Sequence, residues 1–360
     1  MTLTFSEVPA PQTADAEREA VLAAPGFGTR FTDHMVRATW SAGRGWHEAT
    51  LGPYAPIQLD PAAATLHYAQ AIFEGLKAYR HDDGSVWAFR PEANAARFQA
   101  SARRLALPEL DVDDFVAAID ALVTADRAWV PSAPETSLYL RPFMFASEAF
   151  LGVRPAHDVT FCLIASPAGP YFATGVAGVS IWLSSDYTRA APGGTGAAKC
   201  AGNYAASLLA MQQAAEHGCA QVVFLDAVER RWVEELGGMN LFFVHADGTL
   251  VTPALTGTIL EGITRSSILT LAQEQGLAVT ERRVSITEWQ DGATSGEITE
   301  VFACGTAAVV TPVSRLAWDS GEVTIGSGEP GPTTLGLRRA LVDLQYGRVP
   351  DRHGWMHRIC

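Results

Sequence analysis

The sequence is poor in basic residues and in cysteine, and it has no long apolar run. Its 26 Lys plus Arg against 39 Asp plus Glu give a formal net charge of −13 over 360 residues. An acidic surface repels nucleic acid and anionic membranes, so neither is expected as a partner. The five cysteines, Cys162, Cys200, Cys219, Cys304 and Cys360, are odd in number, scattered, and never spaced C-x-x-C. That argues against a disulfide framework or a zinc ribbon; no metal centre is expected, and the thiols read as reduced, in a cytoplasmic setting. No apolar run approaches the ~18–20 residues that span a bilayer. The stretch "MTLTFSEVPAPQTADAEREA" has neither a basic n-region nor an apolar h-region, so no secretory signal is expected. Fixed-period repeats and low-complexity tracts are absent as well. What is present is a soluble globular balance, 48% hydrophobic and 18% charged, with length enough for two domains and a sizeable core.

Residues 1–26, rich in Ala, Pro and Glu, read as a flexible tail. Alternating stretches around Gly43–Gly45 suggest strands, and "LKAYRHDDGSVWAFR" reads as a hairpin turning at Asp83-Gly84. Pro91 opens an Ala-rich helix, and Phe115, Ile119, Leu122 and Val123 fall on one face of the next. The strands "SLYLRPFMF" and "DVTFCLIAS" follow. Prolines and glycines then break the pattern, which places a small α/β domain at 27–168 and an interdomain loop at 169–178. The larger domain, 179–360, mixes strands with the helices "NYAASLLAMQQAAEHG", "EGITRSSILTLAQEQG" and "TTLGLRRALVDLQYG", and has a second Asp-Gly hairpin. Hairpins interleaved with crossover helices predict an α/β (α+β) protein with two mixed-sheet domains.

In "GGTGAAKCAGNY" one lysine, Lys199, stands among glycine and alanine with no acid in the stretch to neutralise it. A phosphate loop would need Gly before the lysine and Ser or Thr after it. Ala198 and Cys200 stand there instead. A structural lysine with a buried stem fits the stretch, and so does a nucleophile. Desolvation by small apolar neighbours lowers a lysine pKa and bares the lone pair for a Schiff base with a carbonyl, such as the aldehyde of pyridoxal 5′-phosphate. That cofactor needs an acid at its ring nitrogen, donors for its phosphate and a group at its phenolic oxygen. "VEELGGMNLFF" offers Glu234 and Glu235 before Gly237 and Gly238, with Asn240 to brace the turn. Taken alone, these residues read more readily as a solvated acid at a strand start. Gly262, Ile263 and Thr264 open a predicted helix, whose N-terminus favours anions. "CGTAAVV" adds Thr306 and turn amides, and Tyr204 follows the lysine closely.

Taken together, "LHYAQAIFEGLKAYR", "FRPEANAARF", "SLYLRP", "GPYF", "AAKCAGNY", "ELGGMNLF" and "LTGTILEGITR" closely resemble the branched-chain amino acid aminotransferases of the fold-type IV pyridoxal-phosphate enzymes. The resemblance runs from about residue 27 to the C-terminal region. It implies Lys199 as Schiff-base lysine and proton carrier, Glu235 at the pyridine nitrogen, and Tyr204 near the phenolic oxygen. It implies Arg97, the amides of Ile263 and Thr264, and Thr306 around the phosphate. The turn at Thr306–Ala307 would present amides to the substrate carboxylate. Tyr68, Phe73, Tyr139 and Tyr171 would wall the side-chain pocket, with Arg141 orienting a tyrosine or meeting a second carboxylate. Leu151 and Val153 would reach the pocket of a partner subunit, which implies a homodimer.

Some members carry a redox C-x-x-C where Ala308 and Thr311 stand here, so no thiol switch of that kind is expected. Some have Thr in place of Gly238, and Cys200 has no derivable role. The implied reaction is a ping-pong exchange between Leu, Ile or Val and 2-oxoglutarate, giving branched 2-oxo acids and glutamate. A D-amino acid aminotransferase or aminodeoxychorismate lyase of the same fold, and a non-catalytic dimeric scaffold, are the alternatives.

Overall fold

At Asp83-Gly84 the chain turns: strands Leu76–Arg80 and Val86–Phe89 pair antiparallel, with Gly84 at φ +81°. In the computed structural model, which describes residues 3–170 and 176–360, this hairpin lies in a nine-stranded sheet. The sheet runs in the order Ser6–Glu7, Gly45–Pro53, His34–Ser41, Asp158–Ala168, Ser137–Ala146, Leu76–Arg80, Val86–Phe89 and Met356–Arg358. Ala71–Phe73 pairs onto Ser137–Ala146 beside that path. Among the described residues of this sheet, the Ser6–Glu7 pairing alone is parallel. The sheet belongs to a unit formed by Met1–Tyr171, Ala198–Ala201 and Leu344–Cys360.

Helices Pro91–Arg104 and Val112–Ala125 bury their apolar faces within this unit. Phe115, Ile119, Leu122 and Val123 are all within the buried core, as their helical spacing requires. The rings of Phe98, Phe115 and Phe161 meet at centroid distances of 5.4–6.4 Å. Each such buried ring is worth about 3–5 kcal/mol against truncation.

The second unit, Phe172–Ala197 with Gly202–Asp343, has its own nine-stranded mixed sheet. Its order is Val233–Leu236, Gln221–Leu225, Val179–Leu183, Val309–Trp318, Ile298–Gly305, Asn240–His245, Leu250–Pro253 and Val279–Arg282, with Gly321–Thr324 on the side. Val179–Leu183 runs parallel to both of its neighbours. Helix Ala201–Glu216 yields to Gly218 at φ +67°, as a C-terminal glycine permits. Helix Ile286–Ser295 buries Trp289 against Phe243, ring centroids 5.1 Å apart. No helix among the described residues is long and apolar enough to cross a membrane.

The N-terminal segment departs from the expected flexible tail of 1–26. It forms the strand Ser6–Glu7 and the helix Asp15–Ala23. Leu3 N donates to Asp114 Oδ1 at 2.6 Å, and Leu3, Phe5, Val21 and Leu22 pack on the core. Composition alone hides such anchoring, because the partners lie far along the chain. The division into units also differs from the expected 27–168 and 179–360. Ala198–Ala201 and Leu344–Cys360 count with the first unit. An isolated antiparallel bridge Ile72↔Cys200 holds the former, and Met356–Arg358 pairs with Val86–Phe89. Pairings this short leave no periodic trace in sequence.

Candidate active site

In the first unit the site grows from the strand Ala71–Phe73 and the two residues after it. Phe73 N donates to Lys199 O at 3.0 Å. Lys199 N donates to Ser101 Oγ, on the helix Pro91–Arg104, at 2.9 Å. The lysine's main chain is thus fixed at both faces, flanked by buried Ala198 and Cys200. Its half-buried side chain places Nζ 4.9 Å from the Phe73 ring centroid.

Glu74, which is wholly buried, is a carboxylate near enough to feel the Lys199 charge. Arg97 meets Glu74 with Nε on Oε1 at 2.7 Å and Nη2 on Oε2 at 2.8 Å. Asn94 Nδ2 adds a third bond at 2.7 Å. Burial pushes the Glu74 carboxyl up, but Arg97, the Lys199 charge and Asn94 outweigh it and bring it below its ordinary range. Arg97, assigned by resemblance to a phosphate, is therefore already oriented by a carboxylate.

The aromatic residues split. Arg141 Nη2 donates to the Tyr139 hydroxyl at 2.9 Å, and its guanidinium lies 4.8 Å from the Phe73 centroid. A Cβ at Gly75 would stand 2.0 Å from the Tyr139 hydroxyl, so only glycine lets the phenol sit there. Phe73, Tyr139, Arg141 and Lys199 thus converge. Tyr68 is 43% exposed, and its hydroxyl donates to the Leu151 carbonyl. Tyr171 lies outside the described residues.

In the second unit, strand Val233–Leu236 carries both glutamates, and neither is solvated: Glu234 is 5% exposed and Glu235 2%. Alternation along the strand sends them to different partners. Glu235 Oε1 accepts from Leu260 N at 2.7 Å and pairs with Arg189 Nη1 at 3.0 Å. Asn240 Nδ2 donates to Leu260 O at 3.0 Å and approaches Glu235 Oε2 at 3.4 Å. Glu234 accepts from the Thr258 hydroxyl, and its carboxyl is pushed up by burial despite that bond and the charge of Arg189. Arg189 is itself buried and also donates to the carbonyls of Gly196 and Thr258. Glu235 is thus the carboxylate with a direct cationic partner.

Gly262 is the N-cap of helix Ile263–Glu274, so Ile263 and Thr264 are its first residues. No acid and no capping side chain occupies that first turn, which suits an anion. A Cβ on Gly262 would lie 2.0 Å from Asn240 Oδ1, so glycine lets the helix start press against the Asn240 brace. Tyr204, on helix Ala201–Glu216, packs beside the glycine turn, its Cε1 3.7 Å from where a Gly238 Cβ would stand. Thr306 and Ala307 lie in the tight turn that joins Ile298–Gly305 to Val309–Trp318. That turn ends at Val309 with φ +61°, a strained conformation for a β-branched residue. Thr311 Oγ1 is buried there without a hydrogen-bond partner.

Sequence reasoning missed Glu74 and Arg189. Glu74 lies in the quoted "FEGLKAYR", and Arg189 is a solitary charge in "TRAAPGGTGAA". A lone cation in an uncharged stretch was the available signal, as it was for Lys199. Among the described residues no cluster of three or more His, Cys, Asp or Glu is arranged to hold a metal ion.

A family model for class IV amino-transferases matches residues 71–316. A probable branched-chain-amino-acid aminotransferase of Streptomyces coelicolor is 60% identical over 347 residues, 96% of each chain. The branched-chain-amino-acid aminotransferase of Mycolicibacterium smegmatis is 60% identical over 349 residues, 96% of this chain and 95% of that one. Among solved structures, the Escherichia coli branched-chain amino acid aminotransferase superposes with a TM-score of 0.75 at 30% identity, covering 90% of this chain and 99% of that one. A Thermobaculum terrenum branched-chain amino acid aminotransferase in its PLP form gives 0.74 at 27% identity, over 90% and 98%. With the Glu235–Arg189 pair, the Lys199 stretch and these matches in hand, the chain belongs to the class IV aminotransferases, in their branched-chain-amino-acid group.

Proposed function

We propose that this chain exchanges the amino group of leucine, isoleucine or valine with 2-oxoglutarate, using pyridoxal 5′-phosphate. The observation that carries the reading is the buried Glu235, held between the Leu260 amide and Arg189 beside the Gly237-Gly238 turn. The donor set fits the cofactor part by part. Glu235 suits a ring nitrogen that must stay protonated, Tyr204 a phenolic oxygen, and Ile263, Thr264, Thr306 and Arg97 a phosphate. When bound, the cofactor supplies an aldehyde for covalent capture of an amine and a ring that accepts the electron pair left at Cα. Lys199 Nζ is the base that takes the proton from the substrate Cα and hands it on; its tethered position makes that transfer intramolecular. Glu235 holds its charge against the ring nitrogen, and Arg189 keeps Glu235 from swinging away. Phe73 and Tyr139 form an apolar wall for a branched side chain, and Arg141 holds Tyr139 in place. The amides at Thr306 and Ala307 orient a substrate carboxylate.

Apolar walls separate aliphatic substrates by only about 1–3 kcal/mol per methylene. Turnover of L-leucine, L-isoleucine and L-valine with 2-oxoglutarate is expected to agree within about a hundredfold, with D-alanine and aminodeoxychorismate inert. Comparable turnover of D-alanine would overturn the assignment.

A homodimer in the cytoplasm completes the reading. Leu151 and Val153 are large apolar residues at 60% and 86% exposure, beside half-exposed Tyr68, and a partner subunit would cover them. Sedimentation is expected to give twice the chain mass, with the double variant Leu151→Asp, Val153→Asp shifted toward monomer. Unchanged sedimentation of that variant would remove these residues from the interface.

A further inference from the structure

Glu74 has no role in the function proposed above, yet its surroundings are more constrained than packing requires. Its carboxylate is 0% exposed, and burying such a charge is costly unless it is paired and hydrogen-bonded. The pairing is side-on: Arg97 Nε and Nη2 lie at 2.7 and 2.8 Å from the two oxygens, and Asn94 Nδ2 at 2.7 Å from Oε2. A two-bond contact fixes the plane of the guanidinium as well as its position. Glu74 is pinned in turn. Its N donates to Pro142 O at 2.7 Å, while Phe73 N reaches Lys199 O at 3.0 Å. Residues 72–75 therefore tie Lys199 and Arg97 to one short segment.

Charge gives the second argument. Lys199 Nζ lies 4.9 Å from the Phe73 centroid, and the Arg141 guanidinium lies 4.8 Å from the same ring. Among the charged and titratable groups near the lysine in the first unit are Arg141, with its partner Tyr139, and the Arg97–Glu74 pair. Three cations around one ring and one short segment repel each other in a partly desolvated setting. Glu74 is the carboxylate set among them.

We propose that Glu74 is a positioning residue that locks Arg97 in the orientation from which it holds the cofactor phosphate, and that its negative charge is felt at the neighbouring Lys199. This rests on the function proposed above, which assigns the phosphate to Arg97. Replacement by glutamine keeps the shape but removes the charge. It also turns an amide NH₂ toward N–H donors of Arg97 or Asn94, so the guanidinium loses its fixed plane.

The test compares wild type, Glu74→Gln, Arg97→Gln, the double variant and Glu74→Asp, each checked for folding by circular dichroism. Two quantities are read: the dissociation constant of pyridoxal 5′-phosphate, and the pH profile of Lys199 acetylation by acetic anhydride in apoprotein, followed by peptide mass spectrometry. Glu74→Gln is expected to weaken cofactor binding about 10- to 100-fold. The double variant should be no weaker than Arg97→Gln, because the carboxylate acts through the arginine. The acetylation midpoint should fall in Glu74→Gln and rise in Arg97→Gln, opposite shifts that loosened packing does not produce. Glu74→Asp, with its charge kept, should restore the midpoint toward wild type. If Glu74→Gln does not fold, the Glu74→Asp midpoint decides against Arg97→Gln: near wild type supports the proposal, and a fall overturns it. Wild-type affinity in Glu74→Gln, additive losses in the double variant, or midpoints moving in the same direction overturn the role of Glu74 alone. Wild type that binds no cofactor overturns the function proposed above and this inference with it.

Discussion

Lys199→Ala is expected to lower transamination by at least about 10⁴-fold, the scale of a lost nucleophile and general base together. The fold should survive the change. The hydrogen bonds of this position to Ser101 Oγ and from Phe73 N use the main chain and not the ammonium. The neighbouring Ala198 and Cys200 are themselves buried and should anchor the backbone in the variant. Lys199→Arg sharpens the test. It retains the positive charge over the Phe73 ring, but a guanidinium neither condenses with an aldehyde nor gives up its proton at working pH. Arginine should therefore fail as completely as alanine. Steady-state assays with L-leucine and 2-oxoglutarate check this, beside thermal melts of each variant. Turnover within tenfold of wild type in either variant removes the proposed role of Lys199.

Glu235→Gln is expected to cost about 10²- to 10³-fold in turnover, in the range seen when a charge facing a developing transition state is removed. It should also destabilise the protein. Glutamine can still accept from Leu260 N, but Arg189 is left as a buried cation without its anion, and breaking such a pair costs about 3–5 kcal/mol. Glu234→Gln is the contrast one residue away. Burial pushes the Glu234 carboxyl up, toward the protonated form that glutamine imitates. Its turnover should stay within about threefold of wild type, since it faces Thr258 and lacks a direct cationic partner. Kinetics and denaturant melts of the two variants separate the roles. Equal losses in both would contradict the division of labour along the strand Val233–Leu236.

The same pair of glutamates marks how far sequence carries. Glu234 and Glu235 were both visible as candidates before the glycine turn, with a solvated acid as the plain alternative. What sequence could not reveal was Arg189, because its approach to Glu235 depends on segments folding back over one another. Glu74 was hidden for the same reason. Local alternation marks its neighbourhood as strand and hairpin, but its partner lies on a later helix.

Elements with local chemical punctuation were legible. Pro91 occupies the first turn of its helix, Gly84 turns the hairpin, and Gly218 follows the helix that carries Tyr204. The helix Ile286–Ser295 went unread although its signal was present. Ser285 Oγ accepts from Glu288 N at 3.0 Å, a Ser-x-x-Glu start before a buried tryptophan. The N-terminal helix and the C-terminal strand had no such mark, and both depend on packing with distant residues. The resemblance implies Tyr68 as a pocket wall; in the structure its hydroxyl donates to the carbonyl of Leu151, a residue proposed for the partner surface.

The most direct measurement is borohydride reduction of the native holoprotein followed by peptide mapping. A single pyridoxyl label on residue 199 is the expected result, absent from Lys199→Ala. A label on any other lysine, or no label on protein that turns over L-leucine, contradicts the covalent role on which the rest depends.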